Sequence, residues 1–152
     1  MRVSAKADYA VRAAAELAAA EDGPVKGERL ADAQDIPLQF LEHILLELKH
    51  ARLVRARRGA RGGYWLARPA EEISIADVIR AVEGPIANVQ SAPPESVHYR
   101  GQAEHLQEVW IAVRANLRAV LEHTTLADVT SGKLPKNVKR LAASPDAWEP
   151  HR

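Results

Sequence analysis

Residues Lys26 to Pro69 read KGERLADAQDIPLQFLEHILLELKHARLVRARRGARGGYWLARP, and this stretch decides the fold. Its first segment, Gly27 to Gln34, predicts a short helix with Leu30, Ala31 and Ala33 as its apolar positions. Asp35-Ile36-Pro37 then breaks the chain, because the residue before a proline is driven out of the helical region. From Leu38 to about Ala51 the apolar residues Phe40, Leu41, Ile44, Leu45 and Leu48 predict a second helix that faces a core. Two short strands are expected next, Leu53 to Ala56 and Tyr64 to Ala67, with Arg57-Arg58-Gly59-Ala60-Arg61-Gly62-Gly63 between them. Glycines at that density supply the positive φ angles a hairpin loop demands. Two helices across a tight turn, then a glycine-tipped hairpin, is the order of a winged helix-turn-helix.

Charge points the same way. The net charge is only +1, yet Lys49, Arg52, Arg55, Arg57, Arg58, Arg61 and Arg68 fall in the 22 positions from Lys49 to Ala70 without one acid. One-signed charge at that density is a statement about a polyanionic partner, or, more blandly, a solvated basic face. The helix order selects double-stranded DNA as the partner. The second helix of such a pair can lie in the major groove with Leu38, Gln39, Glu42 and His43 at its leading end. Gln39 can pair with adenine, Glu42 can accept from a cytosine amino group, and His43 can reach a base or a phosphate. Arg58 and Arg61 at the hairpin tip would be drawn into the negative minor groove, while Lys49, Arg52, Arg55 and Arg57 hold the backbone. A phosphorylated small molecule is the alternative for a glycine-rich loop, but no Lys-Ser/Thr pair follows and a strand comes next.

Outward from this unit the chain reads as helical. Ser4 caps a helix to about Ala20 with Ala7, Ala10, Val11, Ala14, Leu17 and Ala18 in one stripe, ended by Gly23-Pro24. Ser74 caps another to Glu83, and Ile86 to Gly101 reads as a loop. A long helix is expected from Gln102 to His123, with Leu106, Val109, Trp110, Val113, Leu117, Val120 and Leu121 along one face. A lone winged domain offers little surface to bury that face, so it is expected to pair with the same helix of a second copy. Trp110 belongs to this dimer or core stripe, and Trp65 is expected to pack under the hairpin. Thr125 caps a short helix to Ser131, and the three prolines after Gly132 predict a partly disordered tail.

The expected fold class is therefore mainly α with a small β-hairpin wing: a winged helix-turn-helix plus a long C-terminal dimerisation helix. Its domains are 1–84 for DNA binding, a loop at 85–101, 102–131 for the dimerisation helix and a short helix, and a flexible tail at 132–152. The charged start Met1 to Asp8 is no secretory signal, and no apolar run reaches the roughly 18 residues of a membrane span. With no cysteine there is no disulfide, thiolate ligand or thiol switch, which fits a cytoplasmic protein. No nucleophile–base pair or paired carboxylates stand in a plausible catalytic arrangement, so an enzyme is not expected. A winged module that binds a protein instead of DNA is the remaining competitor, and the uncompensated basic residues argue against it.

Several motifs together resemble the Rrf2 family of bacterial transcription regulators. They are Ser4 with Asp8-Tyr9-Ala10, Leu41-Glu42, Ala51-Arg52-Leu53-Val54, and Arg58-Gly59-Ala60-Arg61-Gly62-Gly63-Tyr64. Ile75 to Ile79 with Glu83-Gly84-Pro85, and Thr125 to Val129, extend the likeness over about residues 1–131. The resemblance implies a homodimeric regulator on a near-palindromic operator, with Glu42 in base readout and Arg58 in the minor groove. Many members hold an iron–sulfur cluster on cysteines in the loop before the long helix. Here Val89 to His105 has no cysteine, and the positions where other members place an acid and a histidine are Asp8 and Arg12. No cofactor is therefore expected. His98 and His105 with Glu95 and Glu104 form the alternative, a metal-sensing or small-molecule-sensing loop, though their spacing matches no known ligand pattern. An unidentified small-molecule or protein effector completes the expected partners.

Overall fold

Ser4 opens the first helix with extended backbone, and its hydroxyl accepts from the Ala7 N–H at 3.0 Å. That cap starts α1, Ala5–Ala19, in a computed structural model that describes residues 1 to 151. Four alanines and a leucine on one face of α1 are buried: Ala7, Ala10, Ala13, Ala14 and Leu17. Methyl side chains let neighbouring backbones come close, and α1 becomes the helix on which the others pack.

The next two helices are α2, Gly27–Gln34, and α3, Leu38–His50. Between them Asp35 takes the left-handed conformation (φ 51°), and the Ile36 N–H returns to the Ala31 carbonyl at 2.9 Å. α3 buries Leu41, Ile44, Leu45 and Leu48 completely. Phe40 does not join them. It lies roughly 100° around the helix from the centre of that stripe, is 44% exposed, and meets Tyr9 of α1 edge-on at 5.6 Å.

α3 ends in a double closure. The Leu53 N–H bonds to Leu48 O and the Arg52 N–H to Lys49 O, both at 3.0 Å, with Arg52 at φ 62° between them. Glycine normally fills that place. The hairpin then pairs β1, Val54–Arg57, with β2, Gly63–Leu66, in the register Val54↔Leu66 through Arg57↔Gly63. Each strand sits one residue from its expected place, β1 later and β2 earlier, and the Ala67 N–H to Leu53 O bond (2.9 Å) extends the ladder beyond them. Val25 adds a third edge through two 2.8 Å bonds with Tyr64.

α4, Ile75–Glu83, and α6, Leu126–Ser131, start in the same way. Ser74 with Asp77 and Thr125 with Asp128 form reciprocal capping boxes. The two starts are tied to each other: Ile75 N–H donates to Thr124 O and Leu126 N–H to Ile73 O, each at 2.9 Å. Leu126 is wholly buried in the core with residues of α1, α3 and α4, so α6 packs on the winged unit. Around this core, α1 touches α2, α3, α4, α6 and β2.

α5, Leu106–Leu121, is shorter than expected, because Gly101–Ala103 turns as a 3-10 helix before it. None of its residues is buried. In the tail Lys136–Ala142 forms α7, held by Asn137 Nδ2 donating to Ala119 O at 2.9 Å, and Pro145–Trp148 makes a 3-10 turn. Apolar periodicity is too brief there to announce a helix, which is fixed by contact with α5 and by its own following turn. No helix among the described residues is long and apolar enough to cross a membrane.

Arg52 carries a left-handed backbone that costs an L-residue about 1 kcal/mol. Arg52→Gly is expected to raise the melting temperature by a few degrees, net of glycine's extra chain entropy. The same variant should lose DNA affinity if the cation is used; an unchanged or lower melting temperature would remove the strain from the account.

Candidate nucleic-acid interface

The exposed side of α3 carries Gln39, Glu42 and His43 on its first two turns and Lys49 near its end, with Arg52 just past it. They are exposed because the opposite side, Leu41 to Leu48, is locked into the core. Beside them stands the wing. Arg55 and Arg57 point away from the core on β1, and Arg58 and Arg61 lie exposed in the loop.

The loop is tight for a steric reason. A Cβ on Gly62 would lie 1.9 Å from the Arg57 carbonyl oxygen, and one on Gly63 would lie 2.6 Å from that of Val25. Gly63 also sits at φ 145° and Gly59 at φ 101°. Lys26 Nζ donates to Gly59 O at 2.6 Å, pinning the wing tip to the start of α2. Sequence reasoning passed over Lys26. The signal was available: a cation at a helix N-cap opposes the helix dipole and needs a partner elsewhere.

Between α3 and the wing runs a groove of about 470 Å³. It gathers Glu42, Lys49, Arg57 and Arg58 with Lys26 and Glu28. Gln39, His43, Arg52, Arg55 and Arg61 are exposed but do not line it. The groove is electrostatically mixed. Burial, and then the charges of Glu42 and Glu28, push the Tyr64 hydroxyl above its ordinary pKa, so both carboxylates act on the groove floor. Arg57 lies 5.8 Å from the Trp65 ring centre, which holds its guanidinium by a cation–π contact worth about 0.5–1 kcal/mol at an exposed site. Trp65, expected to pack under the hairpin, is half-buried and lines a second hollow with Arg57 and Arg68.

The Rrf2 family model, described as an iron-dependent transcriptional regulator, matches residues 3–132. The chain belongs to the Rrf2 family. It is 53% identical over 153 residues to a Mycobacterium tuberculosis (strain ATCC 25618 / H37Rv) protein named as the HTH-type transcriptional regulator Rv1287, covering 100% of this chain and 95% of that one. Among solved structures it is similar to CymR, the global cysteine regulator of B. subtilis, with a TM-score of 0.73 and 33% identity over 87% of this chain and 98% of the other. It is similar also to T. potens IscR, with a TM-score of 0.71 and 29% identity over 100% and 94%. The protein is a DNA-binding transcriptional regulator of winged-helix fold, not an enzyme.

The iron in this Rrf2 description finds no donor set here. The chain has no cysteine, and among the described residues no three His, Asp or Glu side chains come together. Glu95, one of the candidate ligands, is occupied: Arg114 Nη1 donates to it at 2.6 Å, and its own backbone N–H and that guanidinium hold its carboxyl below the usual range. His105 Nε2 lies 3.5 Å from Glu104 Oε1 on the surface. Trp110 is half-buried, and its ring N–H donates to the Tyr99 hydroxyl at 3.0 Å.

Gly62→Ala should open the wing loop while leaving the α1–α4 core intact. DNA affinity is expected to fall at least tenfold, with the helical circular-dichroism signal preserved. Wild-type affinity would show that the loop's shape does not matter.

Proposed function

We propose that this Rrf2 regulator is a cytoplasmic homodimer that acts as a repressor on a near-palindromic operator and needs no iron–sulfur cluster to bind it. The observation that carries the dimer is α5. Leu106, Trp110, Val113, Leu117, Val120 and Leu121 are only partly covered and Val109 is 51% exposed, although together they form the apolar side of a helix of 16 residues. Leaving that much apolar surface in water costs about 25 cal/mol per Å². Pairing with a second α5 relieves it and sets two α3 helices for a two-fold site.

In this reading Gln39, Glu42 and His43 meet base edges. Lys49, Arg52, Arg55 and Arg57 bind phosphates, and Arg58 and Arg61 enter the minor groove beside each half-site. The absence of a thiolate donor and the engagement of Glu95 by Arg114 support binding without a cluster.

Selection of bound fragments from genomic DNA by purified protein should recover a palindrome overlapping promoter elements. The protein should be dimeric by light scattering at micromolar concentration, colourless, and active with neither iron nor reductant. A monomer, or a visible chromophore required for binding, contradicts the proposal.

Salt gives an independent check. If the two subunits engage about 8 phosphates, log K should fall with log salt at a slope near −7. A slope shallower than about −2 would place the DNA surface elsewhere.

A further inference from the structure

Asp8, Arg12 and Glu16 stand one turn apart on α1 and make a polar ridge toward the helix-turn-helix. Arg12 is its centre. Its Nε is shut off from solvent and lies 3.1 Å from Asp8 Oδ2. Its Nη1 donates to the carbonyl of Gln34 at 2.8 Å. Its guanidinium carbon stands 4.8 Å from the centre of the Tyr9 ring, and that ring meets Phe40 edge-on.

These contacts converge on the turn that aims α3. Gln34 is the last residue of α2, and its carbonyl is one of those a helix end leaves without a partner. A cation there also meets the negative end of the helix dipole. Glu16 holds the same residue from the other side, accepting from Gln34 Nε2 at 2.6 Å. Phe40 follows Gln39 directly on the first turn of α3, where its exposure has no account in core packing. Arg12 thus grips the end of α2 and, through Tyr9, braces the start of α3.

We propose that Arg12 is a positioning residue for DNA reading: a permanent cation that fixes the recognition helix to α1. A guanidinium is charged at every working pH and offers a flat face and forked donors together. It needs no ligand to be present, in accord with the poor fit of this chain to iron. The inference rests on the reading of α3 as the helix that contacts bases.

The test uses the full chain and three variants, Arg12→Met, Arg12→Lys and Tyr9→Leu. Amide hydrogen exchange at Leu41 to Leu45 is followed in the free protein, with Val78 to Val82 of α4 as internal control. Affinity is measured for a genomically selected fragment and for a scrambled duplex. Arg12→Met should speed exchange in α3 at least tenfold with α4 unchanged. It should cut preference for the selected fragment at least fivefold and leave scrambled-DNA affinity within twofold. Arg12→Lys keeps the charge without the flat fork and should recover less than half of the preference, and Tyr9→Leu should follow Arg12→Met in direction. Unchanged α3 exchange overturns the proposal, as does acceleration of α4 in step with α3, which marks general destabilisation. If Arg12→Met does not fold, Arg12→Lys and Tyr9→Leu decide: wild-type exchange and preference in both overturn it. A wild-type protein that prefers no fragment would sink the operator reading, while the exchange data would still decide whether Arg12 braces α3.

Discussion

The structure depends on the close approach that small side chains allow along α1. Ala7, Ala10, Ala13 and Ala14 fill the middle of the fold with methyl groups. Four other helices and a wing strand can therefore meet the same short helix. A larger residue at any of the four would force neighbours apart, since packed interiors have little room to spare. α3 is one of those neighbours. Its buried side, Leu41, Ile44, Leu45 and Leu48, is set by this packing, and its exposed side is whatever remains.

A second constraint is backbone shape at the wing. Gly62 and Gly63 are required by close carbonyl oxygens as much as by dihedral angle. The loop can present Arg58 and Arg61 only because nothing protrudes from those two positions. Lys26 and the Val25–Tyr64 bonds then join the wing to the start of α2. The groove between α3 and the wing carries both signs of charge. A mixed groove suits discrimination, because a carboxylate repels phosphate and is tolerated best where a base amino group faces it.

The C-terminal part divides between two roles. α6 returns to the winged core through Leu126 and a pair of linked capping boxes. α5 stays outside it, fastened at its end by the ion pair of Glu122 with Arg80 of α4. An apolar helix held out in this way offers its stripe to another surface.

By itself the sequence determined the order of elements from α1 to α6, the capping residues Ser4, Ser74 and Thr125, and the basic segment from Lys49 to Arg68. Those features rest on local rules: helical periodicity, side-chain caps, glycine at turns, and charge counted along the chain. The boundaries of the hairpin and of α5 were legible only to within one to four residues, because ladder bonds and a 3-10 turn decide them. Tertiary structure alone decided the rest. Phe40 is apolar yet stands off the buried stripe, and only the packed chain brings the edge of Tyr9 to it. Arg12 looks like an ordinary surface cation, and Lys26 shows only that it needs a partner, until folding brings them to Gln34 and Gly59, 22 and 33 residues away. α6 joins the winged core across a gap that no local pattern spans. Periodicity reports which side of an element is apolar, and only the packed chain reports what that side, or the polar one, will meet.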